Sequence, residues 1–177
     1  MEKRLCKVNI SSAGGTASAG SKTYKITLPS KWLMKMGVSD IDRQLELSFD
    51  GERIVVSRYM TVDEFKEHVD AKGHSLMILR YYDADILCTT IYIDNDAKEI
   101  RISNHTKDVV KTAFGTNEYP TWNEYLEFIE ERCIPRGRAG LREYLETIGV
   151  DEYDPLEIIK RTEGRMAEDQ QWLKIEV

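Results

Sequence analysis

The chain of 177 residues contains no apolar run near the roughly 20 residues that a bilayer-spanning helix requires. A membrane partner is therefore not expected. Residues 1–9 also lack the apolar core of a secretory signal, so no leader peptide is expected there. Cysteine is scarce: Cys6, Cys88 and Cys133 are odd in number and far apart. That spacing argues against a disulfide framework or a thiolate zinc site, and it fits reduced thiols in a cytoplasmic protein. His68, His74 and His105 are equally scattered, with no Cys or acid beside them at metal-ligand spacing.

Asp83, Asp85, Asp94 and Asp96 fall at turns and leave two readings, a divalent-cation site or solvated turn residues. An EF-hand needs a turn glycine and a terminal glutamate, both missing here, so solvated turns are the expectation and no metal is assigned. Walker loops, Gly-x-Ser-x-Gly elbows and His-Glu-x-x-His helices are absent too. The expectation is a protein that is not an enzyme, with no catalytic residue and no cofactor.

What the chain does carry is a contrast of charge. At 41% apolar and 32% charged residues it has the composition of a globular protein, with a net charge of −6. Residues 1–58 hold ten Lys and Arg against six Asp and Glu, for +4. The remainder holds fifteen against twenty-five, for −10. Two readings stand: two surfaces with different partners, or an acidic protein whose head is only modestly basic.

The first 58 residues read as short strands around one short helix. Lys7-Val8-Asn9-Ile10 alternates polar and apolar side chains, and residues 24–28 alternate again. Between them lies an exposed Gly/Ser/Ala loop, residues 11–21. After Pro29 a helix of about two turns is expected, with Trp32, Leu33 and Met36 on one face and Gly37 just past its end. Residues 44–49 and 53–57 form two further strands around the Asp50-Gly51 hairpin signal. So small a segment cannot bury its own apolar strand faces well, and a second copy would complete it.

The run Lys25-Ile26-Thr27-Leu28-Pro29, then Met36-Gly37-Val38, Asp42-Arg43, Leu45-Glu46-Leu47, Asp50-Gly51 and Ile54-Val55-Val56 resembles the AbrB/MazE/SpoVT swapped-hairpin barrel family. The resemblance covers about a third of the chain. It implies a homodimer with interleaved hairpins and a basic face for double-stranded DNA. The sequence departs from the family in two places. Its first turn is longer, and the paired helix arginines of the well-studied regulators are replaced by Leu33 and Met34.

Lys3, Arg4, Lys7, Lys22, Lys25 and Lys31 are the expected phosphate contacts, since each such contact releases a counterion. Ser11, Ser12 and Thr16 are small donors that can approach a phosphate closely. The alternative is that these lysines merely solvate the barrel.

Residues 59–177 read as an α+β domain. Thr61 and Glu64 make a capping box for a helix with Phe65 and Val69 on one face, ending near Gly73. Residues 75–82, 86–94 and 99–103 read as an antiparallel meander. Helices are expected from Thr121 to about Arg132, over 138–148, from Asp154-Pro155 onward, and over 165–173. Arg132, Arg136, Arg138 and Arg142 form a second basic patch in this acidic half. It reads either as a contact for nucleic acid or an acidic partner, or as pairs with Glu130, Glu131 and Glu143.

Two functions follow. The first is a homodimeric DNA-binding regulator or antitoxin, with the acidic domain engaging an unidentified protein such as a toxin, or sensing a signal. The second rests on a likeness, in size and plan, to type II-A anti-CRISPR proteins. It implies DNA binding joined to inhibition of a Cas9-type nuclease, the acidic half imitating phosphates in the nuclease's positive channels.

Overall fold

The computed structural model describes residues 2–13, 18 and 20–176. The chain is an α+β protein that divides into two compact units, Met1–Tyr59 and Met60–Val177. No described helix is long and apolar enough to cross a membrane.

The first unit holds two separate antiparallel hairpins and one helix. Strands β1 (Asn9–Ser12) and β2 (Lys22–Lys25) pair with Ile10 opposite Tyr24 and Ser11 opposite Thr23. The ladder is displaced toward the expected loop from the alternating runs 7–10 and 24–28: β1 takes in Ser11 and Ser12, and β2 takes in Lys22 and Thr23 and ends at Lys25. Helix α1 (Ser30–Lys35) follows Pro29 and exposes Met34 and Lys35 while half-burying Trp32 and Leu33. Gly37, at φ +83°, turns the chain out of the helix as a left-handed cap.

Strands β3 (Leu45–Phe49) and β4 (Ile54–Arg58) form the second hairpin. The Asp50 carboxylate accepts the amides of Arg53 and Glu52, which fixes the turn and pulls that carboxyl below its ordinary pKa. The two hairpins are not hydrogen-bonded into one sheet, and the described residues of this chain form no closed barrel.

The second unit is built on a four-stranded antiparallel sheet in the order β7-β6-β5-β8. β5 (Leu76–Asp83), β6 (Ile86–Asp94) and β7 (Glu99–Asn104) are the meander. Period-two alternation puts Met77, Leu79 and Tyr81 on one face with Ile91, Ile93 and Ile100. Three helices cover that face: α3 (Trp122–Glu131), α4 (Leu141–Ile148) and α5 (Pro155–Thr162). Tyr125, Phe128, Ile129, Leu145, Ile158 and Ile159 complete the core. Each such side chain contributes about 1.5–3 kcal/mol on leaving water.

Helix α2 (Val62–Ala71) packs on the opposite face. There Arg101 lies over Phe65 and Lys66 over Tyr92. Both α2 and α3 begin with the full capping box, Thr61–Glu64 and Thr121–Glu124.

Two expectations need correction. Residues 165–173 are not a helix. Gln171–Glu176 is strand β8, paired along β5 so that Leu173 stands opposite Tyr81 and Ile175 opposite Leu79. Alternation of Leu173 and Ile175 inward with Lys174 outward decides it. Likewise α4 starts at Leu141, not Arg138, because Gly140 adopts φ +79° and the chain turns over residues 135–140.

Candidate nucleic-acid interface

The ladder of the first hairpin sorts its side chains. Paired residues share a face, so Asn9, Ser11, Thr23 and Lys25 lie together on one side. Ile10 and Tyr24 lie on the other, 60% and 64% exposed. Ser12 and Lys22 share that second side at the loop end of the hairpin. The expected contact set is thus split, with Ser11 and Lys25 on the polar face and Ser12 and Lys22 beside the apolar one. Thr16 lies outside the described residues.

Arg4 and Lys7 precede β1. With Asn9, Thr27 and Ser30 they line a groove of about 570 Å³ beside the start of α1. Lys3 is exposed in the same segment, and Lys31 is exposed on α1. Glu2 anchors this segment: its carboxylate accepts the Trp32 Nε1 hydrogen at 2.6 Å and pairs with Lys35. The sequence reading missed Asn9, Thr23, Thr27 and Ser30. The strand register finds Asn9 and Thr23, and the groove beside α1 finds Thr27 and Ser30.

Electrostatics separates these cations from their neighbours. Lys35, Arg43 and Arg58 pair with Glu2, Asp40 and Asp42. Among the described residues, none of Lys3, Arg4, Lys7, Lys22, Lys25 and Lys31 has a carboxylate partner. Their charge is available to an external anion.

The second hairpin has the same two-faced character. Leu45, Leu47, Phe49, Ile54 and Val56 share one face. Leu47 and Phe49 are 68% and 67% exposed. No described residue of this unit is buried.

The four arginines of the second unit lie in different surroundings. Arg132 is 8% exposed. Its guanidinium donates to both Asp169 oxygens, to the Gly164 carbonyl and to the Gln171 carbonyl. Arg136 pairs with Glu130 and lies 4.1 Å over the Tyr153 ring. Arg142 pairs with Glu146. Arg138 alone of the four has no hydrogen-bonding or ionic side-chain partner among the described residues.

His74 has an acid neighbour after all, brought from 20 residues away: its Nδ1 lies 2.8 Å from Asp94 Oδ2. With Asp96 these residues present ligand-type atoms within 4.8 Å of one another. Asp94 is fully buried, and its Oδ1 accepts the amides of Asp96 and Ala97. The carboxylate is committed to closing the β6–β7 turn. Burial raises the Cys88 thiol and pushes Cys133 up to about 12, so both stay protonated and poorly nucleophilic.

No protein-family model matches the chain, and no curated protein or solved structure matches it either.

Proposed function

We propose that the first unit is one half of a dimeric module that binds double-stranded DNA, in the manner of the AbrB/MazE/SpoVT barrels. The second unit is its protein-interaction domain. One observation carries the reading: two hairpins each gather apolar side chains on one face, yet nothing described in the unit is buried.

A lone two-stranded hairpin is marginal in water. Large apolar side chains gathered and exposed on one face are the mark of an interaction surface. A second copy of the same unit supplies matching ribbons, and a two-fold axis pairs like with like. Burying the apolar faces inside such a dimer leaves the polar face of Asn9, Ser11, Thr23 and Lys25 outward. The unpaired Arg4 and Lys7 lie near it, and the dimer doubles every cation.

Light scattering on the full chain tests the dimer, and fluorescence anisotropy with a random duplex tests the grip. The expected result is a mass of twice 20.5 kDa. Duplex affinity should fall by about 10³–10⁵ between 50 and 200 mM salt if about 6–10 phosphates are contacted. A monomer that ignores duplex DNA at low salt overturns the proposal.

A further inference from the structure

A cavity of about 400 Å³ opens in the second unit between residues 132–140 and 162–168. That is within the size range of small-molecule sites. Its floor is apolar: Cys133 and Ile158 are buried, and Ile134 and Met166 are half-buried. Its polar groups are few, and most are committed.

Arg132 spends its guanidinium on Asp169, Gly164 and Gln171. Arg165 donates to Glu163 and lies over Trp172. The Thr162 hydroxyl donates to the Ile158 carbonyl. Arg138, the Tyr144 hydroxyl and the Glu168 carboxylate are left without a side-chain partner among the described residues, and all three line the cavity. In a domain whose acids outnumber its bases by ten, an arginine without an ion-pair partner in the lining of a largely apolar hollow stands out.

We propose that this cavity binds a small organic monocarboxylate, with the apolar body on the Cys133–Ile158 floor and the headgroup on Arg138 and Tyr144. A planar carboxylate matches the two parallel N–H bonds of one guanidinium. A phosphate dianion fits worse, because only one guanidinium is uncommitted and the Glu168 carboxylate on the same wall repels a double charge more strongly than a single one. The site is independent of the DNA-binding reading and survives if that reading fails.

Isothermal titration of the full chain with 4-phenylbutyrate and with 4-phenylbutan-1-ol tests it. The two probes share an apolar body and differ in charge. The acid is expected to bind at least tenfold more tightly than the alcohol. Arg138→Gln, a change at an exposed turn residue, is expected to erase that difference. Amide shifts in ¹⁵N spectra should concentrate in residues 133–144 and 158–168. Equal affinity for the two probes, no saturation by the acid at about 10 mM, or shifts centred in the first unit would each overturn the proposal.

Discussion

Arg132 holds Asp169 from two sides, Nη1 to Oδ2 at 2.6 Å and Nη2 to Oδ1 at 3.1 Å, and so ties the end of α3 to the entry of β8. The same guanidinium donates to the Gly164 and Gln171 carbonyls, at the two ends of the link from α5 to β8. Arg132→Ala strands a partly buried carboxylate and leaves those carbonyls without their donor. We expect a loss of about 3 kcal/mol, read as a lower urea midpoint.

Acid should loosen the second unit. The Arg132 guanidinium holds Asp169 below its ordinary pKa. Burial works to raise Asp94, but the Ala97 amide and His74 outweigh it and the net shift is downward. Glu124 is lowered by the Thr121 amide and hydroxyl. A carboxyl with a depressed folded pKa contributes stability above its unfolded value, about 3.9 for Asp and 4.3 for Glu. That contribution disappears as pH falls through the folded value. Urea midpoints measured from neutral pH downward should drop across the carboxylate range, and Asp169→Asn should flatten part of the drop. A midpoint independent of pH there contradicts the prediction.

Gly164 has φ +58°, and a Cβ there would meet Leu173 Cδ1 at 3.1 Å and Arg132 Cβ at 3.4 Å. Both the backbone region and the space favour glycine. Gly164→Ala should cost about 2 kcal/mol, visible in thermal melts, whereas alanine at exposed Gly137, where nothing crowds a Cβ, should be nearly silent.

Ile10 and Tyr24 face each other on the apolar side of the first hairpin. Replacing both with serine removes apolar area from the proposed dimer face. The mass by light scattering should move from twice 20.5 kDa toward 20.5 kDa as the chain is diluted. An unchanged dimer would place the interface elsewhere.

Lys25→Gln on the polar face should weaken duplex binding about equally for all sequences. The salt slope should fall by about 1 for each lost phosphate contact, hence about 2 in a symmetric dimer. Lys72→Gln, an equal loss of charge at an exposed residue of the second unit and outside the expected contact set, serves as the control.

The sequence was most readable where the cause is local. Thr61 and Glu64 sit three residues apart, as do Thr121 and Glu124, so the starts of α2 and α3 follow from a few neighbours. The meander was legible for the same reason: alternation and the Asp-rich turns mark β5, β6 and β7 nearly to the residue. β8 was hidden because its partner β5 lies far away in sequence. Arg80 meets Glu176 across 96 residues, and no local pattern encodes that. The inward turn of Arg132 was hidden for a related reason. Arg132 and Asp169 are 37 residues apart, and only the fold turns that arginine inward.

The late position of β8 also sets an order of assembly. On a growing chain β5 and β6 can zip together early, but the outer hydrogen-bonding rim of β5 stays bare until Gln171–Glu176 emerges. Until then Leu79 and Tyr81 lack their cross-strand neighbours, Ile175 and Leu173. A nascent or prematurely terminated product would thus display an open strand rim able to recruit other chains.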